Sequence, residues 1–201
     1  MSDLIVDFIM SLDGYGAAEG WPGFWGMEGP EYLAWIGDDE AEEHDALMGA
    51  TTYRLMSGFA ADMPDDPGMA GLTALHKVVF SSTLEEPLSW ANSELVSGDA
   101  VAAVREMKAQ GARLLRTIGS VSLCRALLAA GLVDRFRVVV FPVITGATGQ
   151  DRIFDAYPDV ALELVGNRLF DGRLQLLEYV PTVLDGPPDV GTQTGGDQTA
   201  G

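Results

Sequence analysis

Residues Leu114 to Pro142 read LLRTIGSVSLCRALLAAGLVDRFRVVVFP. An apolar run, Leu114 to Ile118, passes directly into Gly119-Ser120 without a long loop. Val121, Leu123, Leu127 and Leu128 then recur at helical spacing, and Gly131 stands just past them as a left-handed cap. A second apolar run, Phe136 to Phe141, is closed by Pro142. The order is strand, tight turn, helix, strand, a βαβ unit. Its Gly-Ser turn puts free backbone N–H groups and a helix N-terminus at the carboxyl end of a strand. That is where an open α/β sheet binds an anion.

The rest of the chain alternates in the same way. Residues 4–9 (LIVDFI) predict a central strand, followed by Ser11 to Gly14. Tyr15 to Gly29 reads as a loop over a pocket, with Trp21, Phe24 and Trp25 in it. Pro30 opens a helix through Tyr32, Leu33, Trp35 and Ile36 into the acidic run Asp38 to Glu43, with acids expected to suit its early turns. Ala46 to Met48 is a short strand ending at Gly49, and Thr51 or Thr52 starts the next helix. Residues 62–71 (DMPDDPGMAG) read as surface loop. Residues 76–81 and 94–96 are strands, and Asp99 caps a helix that ends at Gly111. Residues 143–154 read as a glycine-containing loop. Ala161 to Val165 and Arg173 to Tyr179 pair around an Asp171-Gly172 turn.

The expected fold is therefore α/β: a mostly parallel twisted sheet with flanking helices and an antiparallel C-terminal strand pair. One domain spans residues 1–180, and 181–201, poor in large apolar residues, is a disordered tail.

Composition narrows the partners. The chain has 201 residues, and 12 Lys and Arg against 30 Asp and Glu leave a formal charge of −18. Such a surface repels nucleic acid and anionic lipid. No apolar run approaches the ~20 residues that cross a bilayer, and the N-terminus lacks the basic region of a signal peptide. The single Cys124 suits a reducing cytoplasm. GYGAAE at Gly14 has Glu19 where a dinucleotide fingerprint has its third glycine, so it is set aside. His44 and His76 lack zinc-site spacing, and no metal site is expected. His44, beside the acidic run, reads as a solvated surface residue, and Cys124 as a small core residue.

Three places put hydroxyls or glycines directly after a predicted strand: Gly49-Ala50-Thr51-Thr52, Ser81-Ser82-Thr83 and Gly119-Ser120. Together they describe one sheet edge suited to phosphates and ribose hydroxyls.

The pieces SLDG (11–14), LMGATTY (47–53), KVVFSST (77–83) and GSVSLCRALLAAGLVDRFRVVVFPVITG (119–146) occur in one order. In that order the chain resembles the dihydrofolate-reductase-like superfamily, and within it the C-terminal reductase domain of bifunctional riboflavin-biosynthesis enzymes. The resemblance runs from about Leu4 to Tyr179. It implies an NADPH-dependent oxidoreductase similar to 5-amino-6-(5-phosphoribosylamino)uracil reductases, acting as a homodimer on a small molecule. By position, Gly49, Thr51 and Thr52 would lie along the cofactor phosphates, and Ser81, Ser82 and Thr83 at the adenosine ribose and its phosphate. Gly119, Ser120 and the N–H groups of Val121, Ser122 and Leu123 would hold the pyrophosphate and the nicotinamide side. Asp13 and Gly14 would border the nicotinamide, with Asp13 and Tyr32 as the candidate catalytic residues. Two departures bear on chemistry. The family arginine that meets the 2′-phosphate is Ala50 here, which admits NADH beside NADPH. Tyr32 replaces the acid that holds a pterin in dihydrofolate reductases, which argues against dihydrofolate. No deaminase signature is present. The leading expectation is hydride transfer to a small cyclic or carbonyl/imine substrate. The alternatives are a flavin- or pterin-binding protein without turnover and a self-associating domain with a degenerate pocket.

Overall fold

The computed structural model describes residues 1–21, 23–40, 42–111 and 113–186. Ten strands and five α-helices follow in chain order: β1 (Leu4–Ser11), β2 (Tyr15–Ala18), α1 (Pro30–Glu40), β3 (His44–Gly49), α2 (Ala50–Asp62), α3 (Pro67–Ala74), β4 (His76–Phe80), β5 (Ser93–Val96), α4 (Ala100–Gln110), β6 (Leu114–Thr117), α5 (Val121–Ala129), β7 (Arg135–Phe141), β8 (Gly149–Arg152), β9 (Val160–Phe170) and β10 (Leu174–Val183). Eight strands form one sheet in the order β5-β4-β3-β6-β1-β7-β10-β9. Six run parallel, and β10 pairs antiparallel with both β7 and β9. The βαβ unit read from the sequence is present, but β1 lies between its two strands and pairs with each.

Alternation along the strands sorts the core onto two faces. Leu4, Val6, Leu47, Val78, Leu115 and Val138 pack beneath α4 and α5, with Val104, Leu123, Cys124 and Leu127. Ala46, Met48 and Val79 turn the other way, toward Tyr53 of α2, Leu72 of α3 and Trp90. On that second face α1 brings Tyr32 against Val139, Phe141, Phe170 and Leu174. Each fully buried aliphatic or aromatic side chain contributes roughly 1.5–3 kcal/mol.

End signals act where the sequence placed them. Asp99 accepts N–H bonds from Val101 and Ala102 (2.9 and 3.2 Å), and Gly111 ends α4 at φ 67°. Gly131 takes φ +65° after α5. At the β9–β10 turn, Asp171 (φ 50°) and Gly172 (φ 66°) are both left-handed, and Arg173 N donates to the Phe170 carbonyl (2.9 Å) to close it.

Several expectations need correction. The presumed loop 15–29 contains β2 and a short 3-10 turn, Gly23–Gly26, and β2 pairs with β8 inside the presumed loop 143–154. Each of these strands is four residues long, too short to show alternation. Residues 62–71 are not all loop: Asp66 accepts from Met69 N (2.9 Å) and caps α3, whose first residue is Pro67. Helix α2 starts at Ala50, with Gly49 as its cap residue and no side-chain cap. Of the acids near α1 only Glu31 lies in the first turn; Asp38 falls in the last, against the dipole. His44 is 2% exposed, its Nδ1 lying 2.6 Å from the Glu42 carbonyl, because it opens β3 in the middle of the sheet. The hairpin is longer than expected: Pro181, Thr182 and Val183 continue β10 opposite Leu162, Ala161 and Val160, so the tail cannot begin at 181. Residues 187–201 of that tail lie outside the described residues. Among the described residues no helix is long and apolar enough to cross a membrane.

Candidate cofactor and substrate site

Because six strands are parallel, the ends of β1, β3, β4, β6 and β7 share one edge of the sheet. After β3 the chain moves outward through α2 to β4; after β6 it crosses β1 through α5 to β7. The two helices leave in opposite directions and pack on opposite faces. The ends of β3 and β6 therefore flank a topological switch point, where sheets of this kind bind ligands.

One hydroxyl locks that point. Ser120 Oγ accepts the Gly49 N–H (2.8 Å) and lies 2.6 Å from Thr52 Oγ1. Gly119 and Ser120 are both left-handed, at φ 54° and 69°. A Cβ on Gly49 would come 3.3 Å from Ser120 Oγ, so any larger residue there would push that hydroxyl back by a few tenths of an ångström. Cys124 Sγ donates to the Gly119 carbonyl (3.0 Å), steadying the turn from inside; burial pushes this thiol up to about 12. Neither α2 nor α5 has a side-chain cap, and the first helical bond of α5 runs from Cys124 N to the Ser120 carbonyl. The N–H groups of Val121, Ser122 and Leu123 are left pointing out of the turn. Two uncapped helix N-termini thus open side by side, an arrangement that fits a pyrophosphate.

The structure therefore brings together Gly49, Thr52, Gly119 and Ser120, with Thr51, Val121, Ser122 and Leu123 on the adjoining turns. It differs from expectation in one respect. The Ser120 hydroxyl is already used in tying α2 to α5, which leaves ligand contact to backbone N–H groups.

Ser81, Ser82 and Thr83 follow β4, the neighbour of β3. Ser81 Oγ accepts from Thr83 N and Leu84 N (both 3.1 Å), and Thr83 Oγ1 accepts from Arg54 Nη2 (3.4 Å).

Asp13 is half-buried and ties the loop after β1 to the loop after β7. It accepts from Ser11 Oγ (2.7 Å), Thr145 N (3.2 Å) and Gly146 N (2.9 Å). The Ser11 hydroxyl, then the two backbone N–H groups, hold its carboxyl down at about 2. Leu12 N donates to the Val143 carbonyl, closing the same junction. Gly14 (φ +86°) passes beside Phe154. Leu12, Ile144 and Phe154, exposed by 62%, 70% and 46%, leave an apolar rim suited to a planar ring.

Tyr32 sits elsewhere than Asp13. It is 1% exposed, its ring edge-on to Phe24 and Phe141 at 5.6 Å each. Phe24 and Trp25, both left-handed (φ 52° and 49°), fold onto Phe141. The aromatic loop is thus packed on the end of β7 rather than standing free. Asp171, unremarked in the sequence beyond its turn, fixes this wall: its carboxylate accepts from Glu31 N and Tyr32 N (3.1 Å each), and Glu31 accepts from Asp171 N (2.7 Å). A Cβ at Gly29 would run into that carboxylate. Among the described residues no group of three or more His, Cys, Asp or Glu is placed to hold a metal ion.

Solved structures similar in fold include a putative riboflavin biosynthesis protein from Shewanella sp. PV-4, 21% identical, TM-score 0.66, covering 90% of this chain and 99% of that one. A pyrimidine reductase-like protein from Corynebacterium diphtheriae matches at 14% identity and TM-score 0.63, over 90% and 92% of the two chains. A diaminohydroxyphosphoribosylaminopyrimidine deaminase/5-amino-6-(5-phosphoribosylamino)uracil reductase from Thermotoga maritima matches at 14% and 0.60, over 90% of this chain and 57% of that one. At such identities the likeness shows the fold, which is dihydrofolate-reductase-like. No curated sequence matches the chain. The model of the RibD C-terminal domain matches residues 2–176, nearly every element from β1 into β10, and on that match the chain belongs to the RibD C-terminal domain family.

Proposed function

We propose that the chain is an NAD(P)H-dependent reductase acting on a small planar cyclic or carbonyl/imine substrate. The observation that carries this reading is the pair of uncapped helix N-termini locked together by Ser120, Gly49 and Thr52 at the switch point. Backbone N–H groups there match a pyrophosphate without a net positive surface, which suits a chain of charge −18. The named activity of the Thermotoga relative and the family support the same class. When bound, a reduced nicotinamide supplies the hydride. The residues of this chain bind and orient: the loops after β1 and β7 border the ring, and the wall around Tyr32 and Phe141 excludes water. Asp13, an anion at neutral pH, carries no proton to give. Its role is to hold the two loops in register and to accept a hydrogen bond from a substrate N–H; Tyr32 shapes the pocket wall. The aromatic wall also suits a flavin or pterin held without turnover.

The test is thermal unfolding of the purified protein with NADPH, NADH, FMN or folate. A nicotinamide nucleotide at 100 times its dissociation constant adds ~2.7 kcal/mol, raising Tm by roughly 5–10 °C for a domain of this size. A response to FMN or folate alone would replace the reductase reading with the planar-ligand one.

We also propose a homodimer, in a reducing compartment such as the cytoplasm. The edge strand β9 exposes Leu162, Leu164, Val165 and Leu169, by 43–56%. A long apolar edge calls for a partner. Glu163 and Arg168 on the same strand let an identical antiparallel edge pair opposite charges, which argues for a second copy. Leu164→Glu is expected to halve the mass in sedimentation equilibrium at micromolar concentration. A monomeric wild-type protein would end this reading.

A further inference from the structure

At the edge of the sheet opposite the switch point, the neighbouring strands β5, β4, β3 and β6 begin side by side. Each is led by a charged or titratable residue two places before a core residue: Glu94 before Val96, His76 before Val78, Asp45 before Leu47 and Arg113 before Leu115. Strand alternation turns all four toward the α4 face. They form a row in which His76 lies between Glu94 (3.5 Å) and Asp45 (3.2 Å). Arg113 reaches Asp45 at 3.5 Å but Glu43 at 2.7 Å.

Between that row and α4 lies a cavity of about 330 Å³, at the small end of the range for ligand sites. Val78, Val96 and Leu115 form its floor, and Met107, Glu106 and Gln110 face it from the last turns of α4. Its polar partners are incomplete. Asp45 Oδ1 is buried and accepts no hydrogen bond, its contacts to His76 and Arg113 being ion-pair contacts alone. A buried carboxylate oxygen without a donor is costly, which points to a donor that belongs in the cavity. The local charge says of which sign. Among the described residues Glu43, Asp45, Glu94 and Glu106 stand against one guanidinium, Arg113, so with His76 neutral three negative charges are unmatched. The carbonyl end of α4 adds to the same field.

We propose that this cavity binds an aliphatic diamine or polyamine. Carboxylates stand on two walls, Asp45 and Glu94 on the strands and Glu106 on α4, with the apolar floor between them. Two ammonium groups joined by a short methylene chain match that order. Each ammonium brings three donors, one of them for Asp45 Oδ1, and the methylenes cover Val78, Val96 and Leu115. A bare inorganic cation would leave that floor wet. The site shares no residue with the switch point, so the proposal stands apart from the reductase reading.

The experiment is titration calorimetry of the whole chain with 1,4-diaminobutane, with n-butylamine and NaCl as controls at matched ionic strength. The diamine is expected to bind saturably, one per chain, and at least about fivefold more tightly than n-butylamine. Glu94→Gln and Glu106→Gln are each expected to weaken it about three- to fivefold, and together about tenfold or more. Both side chains are exposed, so an unchanged Tm without amine will confirm that the variants are folded. Any response of the wild type to NADPH is expected to persist in both variants, since the nucleotide site lies at the other edge of the sheet. Absence of diamine binding would overturn the site. So would a response no stronger than that to n-butylamine or NaCl, or one that survives the double variant, since either is general screening of a chain of charge −18.

Discussion

Gly119→Val is expected to weaken NADPH binding at least 100-fold, about 2.7 kcal/mol, while the protein still folds. Gly119 has φ 54°, a conformation that a β-branched residue adopts only under strain. A Cβ there would stand 3.8 Å from Thr52 Oγ1, in ordinary contact, so the strain is in the backbone rather than in a clash. Relieving it rotates the Gly119–Ser120 peptide and withdraws Ser120 Oγ from the Gly49 N–H. The two helix N-termini then lose their common orientation, and the N–H groups of Val121 to Leu123 no longer converge. Stability should fall by only about 1–3 kcal/mol, because β6 and α5 remain anchored by Leu115, Leu123 and Leu127. Calorimetric titration gives the affinity and scanning calorimetry the stability. Unchanged affinity would show that the turn does not hold the cofactor.

The second large effect is on stability alone. Lys77→Met is expected to destabilise the fold by about 3 kcal/mol, lowering Tm by roughly 6–12 °C. Lys77 is fully buried, and its ammonium donates to the carbonyls of Leu72 (2.9 Å), Thr73 (3.0 Å) and Leu75 (2.7 Å) at the end of α3, under the Trp90 ring. Met fills the space but leaves three buried acceptors without donors. Burial lowers the Lys77 pKa from 10.5 to about 8, so the group is charged at neutrality. Between those values the unfolded chain binds the extra proton, so stability contributed by Lys77 rises as pH goes from 8 toward 10.5. The Cys124 thiol and Tyr157 hydroxyl, both raised by burial, act the opposite way, since the unfolded chain loses their protons first. The difference between wild type and Lys77→Met isolates the lysine, and that gap is expected to widen above pH 8. A gap that stays flat, or a variant as stable as the wild type, would mean that the three carbonyls find water instead.

What could be read along the chain was whatever depends on neighbours in sequence. The period of Leu123, Leu127 and Leu128, the Asp99 and Gly111 caps and the Asp171-Gly172 turn are local signals, and each marks a real element boundary. Residues 119–146 carried enough of that pattern to name the fold and to place glycines and hydroxyls at the right strand ends. Strands β2 and β8 were invisible because four residues show no period, and their pairing is made between segments over 130 residues apart. His44 looked solvated because its sequence neighbours are acidic, but β3 runs through the middle of the sheet and buries it.

The site divides in the same way. Residue types at Gly49, Thr52, Gly119 and Ser120 were legible; that the Ser120 hydroxyl serves Gly49 and Thr52, rather than a ligand, was not, since it depends on β3 and β6 being neighbours. Asp13 could be picked out as polar beside the ring, yet only the arrival of Thr145 and Gly146 makes it a fixed anion. Asp171 against α1, Lys77 beneath α3 and Arg54 over Thr83 are likewise products of packing. Sequence by itself determined the order of elements and which residues lie at their ends, because backbone propensity and hydrophobic period act over a few residues. Tertiary structure alone decided which polar groups meet, because hydrogen bonds and charge act through space and a side chain's partner is set by the sheet order.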